Sequence, residues 1–186
     1  MVQTIYRGNE LTEREKESIW EILCECDGEF FPPLSARESS SQKNLLVNGQ
    51  GKTGAKPETY YREMIQQNFI LAYETSEGES EVVGFMTFKK QYICEALAKF
   101  GESLYITTVC VRKEYRNRGV MKALYRHMET EIPKICKSSG ISTRTWSLNK
   151  AQLHELEKRG YERIAVLKDD RGPGVDTVYF GKKLLY

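Results

Sequence analysis

The chain has 186 residues, of which 40% are hydrophobic and 29% charged, and its formal net charge at pH 7 is +2. This length suits a single domain with a sizeable core. The near balance of charge argues against bulk binding to nucleic acid, and no apolar run approaches the ~18 residues that span a bilayer. The first ten residues contain no apolar signal core, so we expect a cytoplasmic protein without membrane or nucleic-acid partners.

The cysteines and histidines show no pattern of a disulfide framework or a metal site. The cysteines form an odd set without framework spacing, at Cys24, Cys26, Cys94, Cys110 and Cys136. Reduced thiols of this kind fit a cytosolic protein. The histidines are His127 and His154, and with so few nitrogen ligands we expect no metal.

The first third of the chain predicts a short edge strand and two helices. Residues 2–7 could form the strand. Thr12 and Glu15 have the spacing of a capping box, which predicts the start of a helix that ends at Asp27. A proline suits the first turn of the second helix, predicted over 57–67.

The rest of the chain alternates between strands and helices. Runs rich in β-branched and aromatic residues predict further strands, at 69–74, 81–90, 103–111, 141–146, 162–167 and 176–184. Apolar residues at helical spacing predict one helix that begins near Arg118 and another between Asn149 and Arg159. Pro133 ends or kinks the first of them. This order favours one mixed α/β sheet with helices on its faces.

A glycine-rich stretch, VNGQGKTG at 47–54, is similar to the end of a phosphate-binding P-loop. That motif needs a glycine five residues before Gly51, where this chain has Leu46. The residues after Thr53 do not start a helix within one turn. We therefore interpret the stretch as a polar loop, and ATP binding through Lys52 is the alternative.

A better candidate for a phosphate site lies where the strand at 103–111 leads into a helix. The N–H groups at a helix N-terminus are unpaired and carry about half a positive charge, and this geometry binds phosphate oxygens. Gly119 would let a ligand approach the backbone closely, and Arg116 and Arg118 add positive charge. The junction therefore suits a pyrophosphate that lies across the turn.

The residues at this junction resemble a known superfamily. The hexapeptide RNRGVM at 116–121 is similar to the R/Q-x-x-G-x-G/A motif of the GNAT acyltransferases, which bind acetyl-CoA. Asn149, followed by KRGY at 158–161, resembles a downstream segment of the same family. The order of elements is similar to the family over about residues 57–184.

The resemblance implies a fold and a division of the chain. The fold would be a single α/β domain over 1–186 with a mixed, mostly antiparallel sheet of about six to seven strands and helices on both faces. Residues 1–68 would supply the N-terminal helices and a lid over the acceptor site. Residues 69–186 would supply the sheet and the acetyl-CoA site, and exposed edge strands make a homodimer plausible.

The resemblance also implies the residues that bind acetyl-CoA as cosubstrate. The strand before the turn would pair with the pantetheine arm in a gap between two splayed strands, and the turn would hold the pyrophosphate. Asn149 would touch the arm or brace the gap. The implied set is Val109, Cys110, Val111, Arg116, Asn117, Arg118, Gly119, Val120, Met121 and Asn149.

The chain departs from the family pattern at the usual proton donor. Many members place a tyrosine four residues before the glycine of the last helix, where this chain has Leu156. We take His154 and Tyr105 as candidate catalytic residues, although His154 lies about 200° around the helix from Leu156. A covalent acyl intermediate on Cys110 is disfavoured, because a strand cysteine is usually a small core residue.

The resemblance places the acceptor over the first two helices and their connection. We expect Phe31, Arg37 and Tyr60 to contribute to a site for a small amine or an exposed amino group. The leading hypothesis is an N-acetyltransferase in which the amine attacks the thioester directly. The alternative is a CoA-binding regulatory or interaction module without catalysis, and Leu156 is its main support.

Overall fold

The computed structural model of the protein describes residues 2–46, 54–76 and 78–184. The GKT stretch at 51–53 lies outside these residues. The strands are β1 (Gln3–Gly8), β2 (Asn68–Ser76), β3 (Glu79–Tyr92), β4 (Ser103–Val111), β5 (Gly140–Trp146), β6 (Glu162–Leu167) and β7 (Thr177–Lys183). The helices are α1 (Glu13–Cys26), α2 (Glu58–Met64), α3 (Val120–Thr130), α4 (Ile132–Cys136) and α5 (Lys150–Lys158).

The strands form one seven-stranded sheet in the order β1-β2-β3-β4-β5-β7-β6. Neighbouring strands are antiparallel, except for the parallel pair β4 and β5. The predicted fold class, a mixed and mostly antiparallel α/β sheet, is confirmed. None of the helices in the described part of the chain is long and apolar enough to cross a membrane.

Local sequence signals account for most of the helix boundaries. Thr12 and Glu15 form the predicted capping box at the start of α1, which satisfies N–H groups that the helix itself cannot. The helix predicted over 57–67 ends earlier, at Met64, because Gln67 leaves the helix and its side chain bonds to Ser40 and Thr107. The predicted interruption by proline is confirmed, since α3 ends at Thr130 and a separate helix α4 follows.

Side chains that alternate along the strands build a core on each face of the sheet. One face packs under α3 and α5 and includes Ile70, Ile106, Leu124 and Leu156. The other face packs under α1 and α2 and includes Phe69. Helices therefore cover both faces, and the sheet is buried between two helical layers.

The sheet is split where the two parallel strands meet. β4 and β5 pair from Leu104 to Ile106, although β4 continues to Val111. Thr108 pairs with Thr87 of β3, and Ile106 pairs with Phe88, the next residue of β3. Thr107 is therefore an extra residue without a backbone pairing partner in β3, which makes it a β-bulge. A bulge bends its strand, and beyond Thr107 the strands β4 and β5 diverge and leave a gap.

Candidate active site

The gap between β4 and β5 opens into a cleft of about 850 Å³ that continues to the start of α3. Its volume is within the usual range for small-molecule sites. The cleft brings together nearly all the residues that the sequence assigned to acetyl-CoA: Val109, Cys110, Val111, Arg116, Asn117, Gly119, Val120, Met121 and Asn149. Arg118 is not among the lining residues, and its guanidinium lies 5.2 Å from the ring centre of Tyr115.

The edge of β4 offers backbone donors to the cleft. Arg112, directly after the strand, donates its N–H to the carbonyl of Val83 in β3 at 2.9 Å. Successive N–H groups along a strand point to opposite edges, so those of Val109 and Val111 point away from β3. Because pairing with β5 has ended by Ile106, these groups face the gap.

The turn before α3 presents its backbone to the same cleft. Asn117 and Gly119 adopt left-handed conformations, with φ of 60° and 81°, and Gly119 is the N-cap of α3. Ala123 is the first residue of the helix whose N–H reaches a carbonyl, that of Gly119 at 2.9 Å. Within the described residues, no protein group accepts from the N–H groups of 117–122, so the turn suits phosphate oxygens.

Arg116 is held at the edge of the cleft rather than free in solvent. Its Nη1 lies 2.9 Å from Glu29, and its Nε donates to the carbonyl of Val111 at 3.2 Å. Burial, the largest single influence, lowers the pKa of Arg116, but the hydrogen bonds and charge interactions with Glu29 and Cys26 together outweigh it and the pKa is raised. The positive charge is therefore fixed beside the turn, together with Lys122 on the cleft wall.

Asn149 joins α5 to β5 at the other wall. Its side-chain oxygen accepts from the N–H of Gln152 at 3.2 Å, and its amide nitrogen lies 3.3 Å from the hydroxyl of Thr145. The residue thus both caps the helix and braces the open end of β5. Met121 also faces the cleft and is 36% exposed, so the expectation that its side chain could point into the core is wrong.

The structure does not bring the two candidate catalytic residues to the cleft. Tyr105 is buried on the α1–α2 side of the sheet, stacked on Tyr92 with ring centres 4.1 Å apart. His154 lies exposed on α5. Leu156, at the position of the usual tyrosine, is fully buried in the core.

Sequence reasoning missed Tyr125, a fully buried tyrosine of α3 that borders the cleft. The sequence pattern placed it within the helix but gave no reason to separate it from the core residues around it. Its hydroxyl accepts a hydrogen bond of 2.6 Å from the side-chain nitrogen of Gln152. Burial raises the pKa of Tyr125, so the phenol stays protonated at neutral pH and can donate a proton.

The three candidate acceptor residues lie behind the cleft wall, not on it. Arg37 is buried and donates to the carbonyl of Pro32, and Tyr60 is buried with its hydroxyl 2.7 Å from that of Thr108. Phe31 is 41% exposed but does not line the cleft. The side chains that do line this end include Phe30, Thr108, Arg144 and Trp146.

Metal ligands are not grouped in the part of the chain that the structure describes. No three side chains of His, Cys, Asp or Glu within it are placed to hold a metal ion. The carboxylates that line the cleft are Glu29 and Glu155. Each is engaged by an arginine, since Glu155 bonds Arg159 at 2.6 Å and Glu29 bonds Arg116.

The fold and the cleft define an acyltransferase of the GNAT type. The family model described as "Acetyltransferase (GNAT) family" matches residues 17–161, and the chain belongs to this family. No curated protein matches the chain at a significant level.

Solved structures share the fold at low sequence identity. An N-acetyltransferase from Staphylococcus aureus Mu50 has a TM-score of 0.60 and 13% identity, with 98% of this chain and 99% of that chain covered. The ribosomal-protein-S18-alanine N-acetyltransferase from Escherichia coli has a TM-score of 0.58 and 12% identity, with 99% and 96% covered. A Bacillus anthracis protein described as a streptothricin acetyltransferase, solved with acetyl coenzyme A, has a TM-score of 0.52 and 21% identity, with 64% and 63% covered.

Proposed function

We propose that this protein is an N-acetyltransferase that transfers the acetyl group of acetyl-CoA to the amine of a small molecule or to an exposed amino group. The observation that carries the proposal is the continuity of one cleft from the split between β4 and β5 to the turn at 116–121. The split accommodates an extended arm, and the turn accommodates phosphates. A ligand that has both parts in sequence is a coenzyme A thioester.

The residues of the cleft match the parts of acetyl-CoA by their chemistry. The N–H groups of 117–122 would bind the pyrophosphate oxygens, with Arg116 and Lys122 beside them. The free edge of β4 at Val109 and Val111 would pair with the amides of the pantetheine arm, as one strand pairs with another. When bound, acetyl-CoA supplies an activated acetyl group whose thiolate is a good leaving group.

The backbone of β4 also provides electrostatic stabilisation for the reaction. The acetyl carbonyl oxygen gains negative charge as the amine attacks, and an N–H group aimed at it lowers the barrier. We assign this role to the N–H of Val109, which points into the gap. Removal of one such donor typically costs about 100-fold or more in rate.

We assign the two proton transfers of the reaction, from the amine and to the thiolate, to different groups. Glu29 and Glu155 are engaged in ion pairs, so we assign removal of the amine proton to water in the cleft rather than to either carboxylate. We assign protonation of the leaving thiolate to Tyr125, which lines the cleft and remains protonated. This assignment replaces His154 and Tyr105, and it removes the objection to catalysis raised by Leu156.

A thioester-cleavage assay tests the proposal. The purified protein is mixed with acetyl-CoA and a panel of amines, the release of free CoA is followed by a thiol reagent, and the N-acetyl product is identified by mass spectrometry. We expect amine-dependent release of CoA with one-to-one formation of product. Tight binding of acetyl-CoA without turnover on any small or peptide amine would instead support the non-catalytic CoA-binding module.

A further inference from the structure

Three arginines gather at the end of the cleft that faces the connection between α1 and α2. Arg144 projects from β5 and lines the cleft, and it bonds the carbonyls of Ser40 and Gln42 in that connection. Arg37 and Arg171 lie behind it and are 7% and 4% exposed. The positive charges of Arg37 and Arg144 both act on Arg171, so the three guanidinium groups form one cluster.

These arginines bind neutral groups rather than carboxylates. Arg37 donates to the carbonyl of Pro32, and Arg171 donates to the carbonyl of Phe31 at 2.6 Å. Among the described residues, no carboxylate oxygen comes within 4.0 Å of a nitrogen of any of the three. The bonds to Tyr179, Ser40 and Gln42 use three of the five N–H groups of Arg144.

Aromatic rings fix the cluster against the cleft wall. The guanidinium of Arg37 lies 5.6 Å from the ring centre of Phe30, and that of Arg171 lies 5.4 Å from Trp146. Phe30 and Trp146 are themselves 6.3 Å apart and both line the cleft. The rings attract the cations through their π faces but leave the positive charge in place.

The cluster holds buried positive charge that forms no direct ion pair within the described residues. Burial lowers the pKa of Arg37 to about 10 and that of Arg171 to about 9, both above neutral pH, so both groups remain cationic. Buried charges are costly unless an ion of opposite sign is near. Asp27 and Asp170 act on Arg37 and Arg171 from beyond 4.0 Å, but among the described residues no carboxylate bonds the cluster directly, so a ligand carboxylate can take that place.

We propose that the acceptor amine carries a carboxylate, which binds to the unused N–H groups of Arg144 while Arg37 and Arg171 supply positive potential behind it. This inference rests on the proposed acetyl transfer and adds the chemical class of its acceptor. The aromatic pair would contact the apolar part of the same molecule. A free amino acid, or an amine of similar size with one acidic group, fits this arrangement.

A binding experiment tests the anion site apart from catalysis. The protein is saturated with coenzyme A, which fills the phosphate-binding turn, and is titrated by calorimetry with N-acetylglycine or with N-acetylglycinamide. These probes differ in the charge of one group. We expect the acid to bind at least about tenfold tighter than the amide, as a charged hydrogen bond provides. Equal affinity of the two probes would overturn the inference.

Matched variants test whether Arg144 causes the preference for the acid. Arg144→Gln should abolish the preference for the acid, whereas Arg163→Gln, which removes an arginine of the same charge from the exposed strand β6, should keep it. Arg144→Lys keeps a positive charge and should retain part of the preference. Each variant is first titrated with coenzyme A to establish that it is folded. Equal loss in the Lys and Gln variants would show that charge does not select the acid, and would overturn the inference.

Acetylation rates separate failure of the inference from failure of the proposed function. Glycine and phenylalanine are compared with their amides, and β-alanine with phosphoethanolamine. Preference for the acids supports the inference. Equal rates for acids and amides, or a preference for phosphoethanolamine, would overturn it while acetyl transfer stands. Selective binding of N-acetylglycine with no acetylation of any amine would leave the anion site intact and refute the proposed function.

Discussion

Gly119 offers the sharpest test of the proposed phosphate site at the start of α3. Its φ of 81° is left-handed, and a Cβ at this position would meet no atom within 4 Å. A Gly119→Glu substitution therefore causes no clash and costs about 1–2 kcal/mol of backbone strain. It also places a negative charge at the N-terminus of α3, where the coenzyme's pyrophosphate should bind.

The effect on binding follows from charge repulsion. Two like charges about 4 Å apart near a protein surface repel by up to about 4 kcal/mol, and half of that value raises Kd about 30-fold. Acetyl-CoA at 100 times Kd stabilises the folded protein by about 2.7 kcal/mol, which for this size is a rise in Tm of roughly 5–11 °C. At the same concentration the variant would gain about 0.9 kcal/mol, a rise of roughly 2–4 °C.

Thermal unfolding with and without acetyl-CoA measures this difference. Gly101→Glu is the matched control, because Gly101 also has a left-handed φ, 91°, and open space around its Cβ position. It precedes β4 at the end of the strand away from the cleft. Both variants should lose similar stability without ligand, and only Gly119→Glu should lose the ligand response. A full response in Gly119→Glu would refute the assignment of the turn.

Three further substitutions test other parts of the structure. Tyr125→Phe should lower kcat about 100-fold with little change in KM for acetyl-CoA. Tyr161→Phe, which alters a buried tyrosine that does not line the cleft, should leave kcat unchanged, and similar kinetics in the two variants would exclude Tyr125 as the donor. Tyr60→Phe leaves the buried hydroxyl of Thr108 without its hydrogen-bond partner and should lower the free energy of unfolding by about 1–3 kcal/mol, as measured with denaturant. An unchanged unfolding midpoint would show that this hydrogen bond contributes nothing to stability. Burial lowers the pKa of His127 below 6.5, so the contribution of His127 to stability is present above pH 6.5 and is lost as the pH falls through the lower folded pKa. The Tm of wild type and of His127→Gln, measured from pH 8 to 5, should therefore change with different slopes below pH 6.5, and parallel curves would contradict this.

The elements of the fold were predictable because their signals are local. The capping box at Thr12, the β-branched run of 103–111 and the interrupting Pro133 each act within a few residues. The turn at 116–121 was predictable for the same reason, since a strand, a glycine and a helix start are adjacent in the chain. The split after Thr107 was expected from the resemblance alone, because a β-bulge has no marker in this sequence.

The acceptor end of the site was not predictable, because it depends on contacts between distant segments. Phe30 and Arg171 come from two connections and Trp146 from the end of β5, and these three segments meet in the folded protein. In the sequence, Arg144 occupies a polar position of an alternating strand. The structure is needed to show that no described carboxylate lies within 4.0 Å of its guanidinium. Tyr125 likewise reads as one more residue on the apolar face of a helix.

The split sheet has a consequence for how long the protein survives in a cell. Within the sheet, β5, β6 and β7 join the other strands through three backbone pairs of β4 and β5, and the coenzyme arm would act as the missing strand between the two halves. The amides of Val109 and Val111 should then exchange quickly with solvent in the free protein and slowly in the complex. In the proposed complex the substrate completes the sheet, so resistance to proteolysis would follow the supply of acetyl-CoA, and the abundance of the enzyme would report on the metabolic state of the cell.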